Sequence, residues 1–311
     1  MRALPLAMLL VCVLTGCGHS QPYVNDQRLG RGLVIVLPGI EGRSYLNEAI
    51  CRGLDEGGVD CAIELVDWTS WWGPLIGAPY NLRAEARNRR KAAEIAGKVL
   101  RYKMSHPGRP VVLVGQSGGG AIALWIAEAL PADYSVDGIV VLAAALSPTY
   151  PLDMALGSSK RGIVSFHSGR DRLLLGLGTT VFGTMDGEHT SSAGRVGFDV
   201  PNGPTRPAVY DRLFQIAWNK EMSSTGNTGM HLTSGSSEFI AEYVAPFVRS
   251  ETWDEGLINR VLSHMWHQAP DASSQPTSQR ETKLPPARTY RIVGPPGDPG
   301  VPEKRTSPDG R

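Results

Sequence analysis

The stretch Leu113–Ala127, LVGQSGGGAIALWIA, constrains this chain more than any other. Apolar, β-rich residues run up to Gly115, Ser117 stands among glycines, and helical sequence begins at once with no loop between. A strand that passes so abruptly into a helix forces the residue at its apex into strained backbone angles. Neighbouring side chains would collide there, so glycine flanks the apex. The serine is then either part of a tight packing turn or a nucleophile presented on a corner. A phosphate-cradling Walker loop is disfavoured, because no Lys-Ser or Lys-Thr follows the glycines.

The surroundings repeat this strand–helix alternation. Gly32–Leu37 is continuously apolar, as a strand buried on both faces should be. A helix is expected over Tyr45–Glu56, a strand over Val59–Val66 and a long helix over Asn81–Ser105. Further strands are expected at Pro110–Val114, Gly138–Ala143, Gly162–His167 and Leu213–Trp218, with helices at Gly119–Leu130 and Ser237–Val248. The fold class is α/β: a mostly parallel sheet of about six strands with helices on both faces. Right-handed crossovers then align the loops that follow the strands along one edge.

Both ends of the 311-residue chain fall outside that pattern. MRALPLAMLLVCVLTGC has one early charge, an apolar run and small residues before Cys17, the layout of an export signal too short to span a bilayer. Leu14-Thr15-Gly16-Cys17 resembles a bacterial lipobox, which implies a signal peptide over 1–16, lipidation at Cys17 and a domain anchored to the cell envelope, facing periplasm or exterior; the alternative is an ordinary secretory signal with a chance cysteine. Residues 17–31 read as a linker and 32–267 as the folded domain. The tail 268–311, crowded with Pro, Ser, Gly and charge, buries too little apolar surface to order itself. A formal net charge of +1 argues against a field that recruits nucleic acid. Cys51 and Cys61 remain as a pair in an oxidising compartment, either bridged as a disulfide or held too far apart by a helix-to-strand placement. Neither supports a metal site, for which no Cys or His spacing is present.

A serine nucleophile needs a base, and the base needs an orienting acid, because a free hydroxyl hardly ionises at neutral pH. Gly115-Gln116-Ser117-Gly118-Gly119 fits the G-x-S-x-G elbow, whose partners follow in the order acid, then histidine. Asp171 ends Ser168-Gly169-Arg170-Asp171 directly after a predicted strand, which places it on the edge that carries Ser117. It could instead form a turn or pair with Arg170 or Arg172; Asp153 and Asp199 are weaker candidates. Of the seven histidines, His231 alone follows the last strand through a glycine-rich loop and precedes the final helix. His19 and His106 precede the serine, His167 ends a strand before the acid, His189 follows Asp171 with no clear strand between, and His264 and His267 trail the closing helix. The amide of Gly118 and one from Leu37-Pro38-Gly39-Ile40-Glu41-Gly42, that of Ile40 with Glu41 as fallback, are the candidate oxyanion donors.

With these four regions assembled, the chain resembles the α/β-hydrolase family over roughly Gly32 to Val248. The resemblance rests on LPGIEG, GQSGG, SGRD and GMH before the last helix. It implies the α/β-hydrolase fold without the family's first two strands, and Ala144–Arg161 is too short for a large lid domain. Pro38 stands where that family often has histidine. The implied activity is a serine hydrolase acting on a small-molecule ester, a carboxylester first, with no cofactor and no metal. An acyltransferase using the same residues, or a non-catalytic binding module on this fold, are the alternatives. Trp68, Trp71 and Trp72 could wall an acyl pocket or simply pack, and Leu173–Pro207 is either a flap over the serine or a surface excursion.

Overall fold

A computed structural model describes residues 21–70, 73–171, 184–204 and 206–263. The leader with Cys17, Trp71 and Trp72, the segment 172–183 and the tail from 264 lie outside the described residues, as do the expectations placed on them.

Six strands form one sheet: β1 (Leu33–Leu37), β2 (Ala62–Leu65), β3 (Val111–Gln116), β4 (Gly138–Leu142), β5 (Ile163–His167) and β6 (Leu213–Ala217). Every pairing is parallel, in the order β2-β1-β3-β4-β5-β6. The principal helices are α1 (Tyr45–Glu56), α2 (Gly73–Arg83), α3 (Glu85–Ser105) and α4 (Gly118–Glu128). The run Ser237–Phe239, Ile240–Val244 and Ala245–Arg249 makes a composite α5, and Glu255–Leu262 makes α6.

β1, β3 and β4 are buried along their whole length, which is why their sequences are apolar without alternation. Successive side chains then serve two cores. Leu33, Ile35, Leu37 and Leu113 pack with Ile95 and Val99 of α3 and with Ile122 and Ile126 of α4. Val34, Val36, Val112 and Val114 pack on the opposite face with Ile50 and Leu54 of α1, Phe239 and Phe247 of α5, and Leu257 of α6.

Four features depart from the sequence expectations. The helix expected over 81–105 is two helices, because Ala84 leaves helical angles at ψ 53° and the Asn88 amide donates to the Asn81 carbonyl at 2.5 Å. α5 contains a π-helical turn at Ile240–Val244, just before Pro246, which has no N–H to continue the helical ladder. α6 was not anticipated, although its cap is local: Asp254 Oδ1 accepts from the Leu257 N–H at 2.7 Å. Residues 21–31, read as linker, are fastened to the sheet edge. There Gln21 exchanges side-chain bonds with the Leu65 backbone, and the Arg28 guanidinium binds Asp55 and the carbonyls of Val59 and Cys61.

The disulfide reading is corrected. Cys51 on α1 and Cys61 before β2 are both free thiols, since the helix and the strand do not bring the sulfurs to bonding distance. Burial pushes the Cys51 thiol up to about 12 and the Cys61 thiol up to about 11, so both stay protonated and poorly nucleophilic.

Candidate functional site

The strand order reverses between β1 and β3. From β1 the chain moves out to β2, whereas from β3 it proceeds the other way through β4, β5 and β6. Loops leaving β1 and β3 therefore diverge and open a crevice at the carboxyl ends of the strands. Pro38–Gly42 and Ser117 stand at that crevice.

Ser117 has φ 54° and ψ −119°, between the last residue of β3 and the first of α4. Such a backbone costs roughly 1–3 kcal/mol in a residue with a side chain and persists only where its surroundings enforce it. Here the Ser117 N–H donates to the Leu142 carbonyl at 2.8 Å, and the Ser117 carbonyl accepts from Gly120 and Ala145 at 3.0 and 3.1 Å. The glycines have a plain steric reason. A Cβ on Gly119 would strike the Leu37 and Pro38 carbonyls, and one on Gly115 would strike the backbone of Gly119. The helix thus lies against the ends of β1 and β3 at a distance only glycine permits.

The same close approach brings the loop after β1 beside the serine. A Cβ on Gly118 would lie 2.7 Å from Ile40 Cγ2 and 3.5 Å from the Ile40 amide nitrogen, so the Gly118 and Ile40 backbones are neighbours. Side chains from several elements hold this loop. The buried Trp68 indole donates to the Pro38 carbonyl at 2.8 Å. Asn81, 1% exposed on α2, donates to the Ile40 carbonyl at 2.9 Å and accepts from the Ser70 N–H at 3.0 Å. Asp67 accepts from the Arg43 N–H at 3.0 Å. Trp68 therefore packs and orients; it does not wall an open pocket.

The acid and the base come from the far side of the crevice. After β5 a turn closes with the Asp171 N–H on the Ser168 carbonyl at 3.0 Å. Arg170, the rival partner for Asp171, lies instead over the Trp218 ring with 4.9 Å to its centroid. Asp171, 2% exposed, binds His231 through Oδ2 and Nδ1 at 2.8 Å. The bond to a buried carboxylate fixes the ring's orientation and leaves Nε2 as the nitrogen for a second group. Among the described residues neither Nε2 nor the Ser117 hydroxyl is engaged in a hydrogen bond. His231 opens a short 3-10 turn, His231–Gly235, that leads into α5. The glycine-rich approach is anchored where Trp218 Nε1 donates to the Asn227 carbonyl and the Gly229 N–H returns to Asn227 Oδ1. A small cavity of about 20 Å³ borders Asp171, lined in part by Phe166, Trp218 and Met222.

The competing residues are engaged elsewhere or lie exposed. Asp153 accepts from the Tyr210 hydroxyl at 3.1 Å, Asp199 and His189 are exposed, and His106 stacks on Tyr102. His167 is half-buried at the end of β5, and the partial burial of its ring holds it below its usual range. The described part of the 173–207 excursion is no free flap. Met185, Ala193 and Gly194 donate to the carbonyls of Ala145, Leu146 and Ala144, and Ser147 is bonded to Asp186.

Sequence reasoning missed Asn47, Asn81 and Gln116. Asn47 had a legible signal. It lies at i of an i, i+3, i+4, i+7 stripe with Ile50, Cys51 and Leu54, and an amide on an otherwise apolar face needs buried partners. Asn81 and Gln116 carried none.

No protein-family model matches the chain, and no curated protein sequence matches it. Solved structures do. The crystal structure of TT1662 from Thermus thermophilus is 16% identical with a TM-score of 0.43, covering 71% of this chain and 90% of that one. Est1E from Butyrivibrio proteoclasticus is 12% identical with a TM-score of 0.40, covering 71% of this chain and 88% of its own. Aspergillus fumigatus lipase B is 11% identical with a TM-score of 0.43; the match covers 73% of this chain and 55% of the lipase. The chain's own architecture defines the class: six parallel strands in this order, with a strained serine elbow after the third, make an α/β-hydrolase fold.

Proposed function

We propose that this chain is a serine hydrolase that cleaves an ester, a carboxylester first, through an acyl-serine intermediate. The observation that carries the reading is the buried 2.8 Å bond between Asp171 and His231, on the sheet edge where Ser117 is held at φ 54°. Packing alone does not call for an imidazole locked by a carboxylate across a crevice from a strained serine.

In this reading the Ser117 oxygen attacks the ester carbonyl carbon while His231 Nε2 takes its proton. The carbonyl electron pair moves onto oxygen, which the amides of Gly118 and Ile40 stabilise. Collapse re-forms the carbonyl and breaks the bond to the leaving alkoxide, which takes the proton from His231. Water repeats the sequence, with His231 as base, and releases the acid. Asp171 keeps the imidazole in the tautomer that accepts at Nε2 and stabilises the cation that forms. Lipidation at Cys17 would tether this domain to a membrane, as the lipobox-like LTGC supports.

The test is treatment of the purified domain with a fluorophosphonate, followed by intact mass and peptide mapping. One phosphonyl group on Ser117, lost in Ser117→Ala, is expected, together with hydrolysis of p-nitrophenyl esters. Labelling that persists in Ser117→Ala would move the nucleophile elsewhere. For the anchor, incorporation of radiolabelled palmitate that survives Cys17→Ser would reject it.

A further inference from the structure

Four buried or half-buried groups outside the acid–base pair form one chain of hydrogen bonds across the crevice. Asn47, fully buried on α1, donates from Nδ2 to Glu41 Oε1 at 3.3 Å and to Gln116 Oε1 at 3.2 Å. Gln116, 1% exposed and adjacent to Ser117, donates from Nε2 to the His231 carbonyl at 3.5 Å. Asn47 Oδ1 accepts from the Ser44 N–H at 3.0 Å and from its hydroxyl at 2.9 Å. All four hydrogen-bonding positions of the Asn47 amide are thus occupied.

The direction of this chain is fixed at both ends by the backbone. A main-chain N–H can only donate, so Ser44 requires the oxygen of Asn47 to face it. A main-chain carbonyl can only accept, so His231 requires the nitrogen of Gln116 to face it. Oxygen of Gln116 must then meet nitrogen of Asn47, as observed. No amide in the series can turn round without placing two acceptors or two donors in contact. Helix α1 adds a packing contact in the same direction: a Cβ on Gly235, in the turn that His231 opens, would lie 3.4 Å from Ile50.

We infer that Asn47 and Gln116 are positioning residues that lock the oxyanion loop at Glu41, the nucleophile elbow and the histidine turn into one register. The inference rests on the serine-hydrolase reading above. The loop after β1, the residue before Ser117 and the backbone of His231 share one buried amide relay, so displacement of any one segment is felt by the others. The 3.5 Å bond to His231 is its longest link.

Asn47→Asp tests it, and because the new carboxyl lies beside Glu41 at a buried position, rates are compared per folded molecule. The carboxylate keeps the acceptor role toward Ser44 and suits the first turn of a helix. It can no longer donate to Gln116 or Glu41. The Gln116 amide must then turn its nitrogen toward the new carboxylate, which aims its oxygen at the His231 carbonyl. Gln116→Met, similar in length and uncharged, removes the same link without adding a charge.

Both variants should lower kcat for a p-nitrophenyl ester, and the rate of fluorophosphonate labelling of Ser117, by about tenfold or more, the scale of one displaced hydrogen bond. KM should move much less, while thermal midpoints should fall in both variants, because each leaves a buried polar group without its partner. Rates per folded molecule that match the parent, or a fall in Asn47→Asp alone, would overturn the relay; the second result would mark a charge effect. A parent protein that leaves Ser117 unlabelled rejects the hydrolase reading itself, and this inference with it.

Discussion

The two sides of the crevice are built differently. On the side of β1, the loop Pro38–Gly42 is held by Trp68 on the Pro38 carbonyl and Asn81 on the Ile40 carbonyl, both far along the chain, and by the nearby Asn47 on Glu41. On the side of β5 and β6, Asp171 and His231 are placed chiefly by short-range turns, such as Ser168 to Asp171 and Asn227 to Gly229, with one remote bond from Gln116 to the His231 carbonyl, and then bind each other. A rim fixed by many remote donors distributes its geometry over several residues. A rim fixed by turns concentrates its chemistry in two. Substitutions should therefore have graded effects on the first side and nearly all-or-none effects on the second.

The sharpest form of that contrast is Asp171→Asn. The shape is kept, but an amide can present a donor to Nδ1 and stabilise the wrong tautomer. A loss of about 10⁴-fold in kcat is expected, by analogy with serine triads generally. Its neighbour Arg170, exposed over Trp218, serves as the control, and Arg170→Ala should leave steady-state hydrolysis within about twofold, as surface changes generally do. A modest loss in Asp171→Asn would place the acid elsewhere.

Next comes the contact that makes the elbow fit at all. Gly119→Ala drives a methyl group into the Leu37 and Pro38 carbonyls, which backbone cannot easily yield. A loss of about 3 kcal/mol or more in urea unfolding is expected, at the upper end of overpacking costs. A stability equal to the parent's would mean that α4 can shift away from β1.

Trp68→Phe sharpens the other rim. It keeps most of the buried ring but removes the donor to Pro38. The Ile40 amide should lose its aim, with kcat down about tenfold and KM nearly unchanged, the cost of one misplaced donor. Equal falls in kcat and stability-corrected activity of unrelated core variants would deny Trp68 a special role.

The smallest effects concern pH. Burial raises both thiols, Cys51 to about 12 and Cys61 to about 11. Their stabilising contribution is full below the unfolded thiol range, about 8.5. It is lost as pH rises through the folded values, because the unfolded chain gives up those protons first. Urea midpoints should decline above pH 9, less steeply in the Cys51→Ala, Cys61→Ala double variant. His167 acts at the other end. Its folded value lies below the usual range because its ring is partly desolvated, so its contribution is present above about pH 6.5 and is lost as pH falls. A flat midpoint on both limbs would contradict the burial of these groups.

The same contrast explains what could be read from sequence. The acid–base side was legible because its determinants are local: a turn after a strand, a glycine-rich approach, a histidine before the last helix. The elbow was legible for the same reason, since Gly115, Ser117 and Gly119 enforce it within five positions. The oxyanion side was only half legible. LPGIEG could be located, but Trp68 and Asn81 reach it through the fold, and no spacing in the chain predicts that Asn81 on α2 will find the Ile40 carbonyl. The helix α6 and the break at Ala84 were missed on similar grounds, because an eight-residue helix and a side-chain bond from Asn88 leave little periodic signal.

The most direct measurement is a crystal structure of the domain after reaction with a small phosphonate, whose tetrahedral phosphorus imitates the reacting carbon. The adduct should be bonded to the oxygen of residue 117, with one phosphonyl oxygen within hydrogen-bond reach of both the Gly118 and Ile40 amides and the imidazole of 231 turned toward the esterified oxygen. A phosphonyl group bonded elsewhere, or one whose oxygens find neither amide, would contradict the idea that the two rims converge on a single reacting centre.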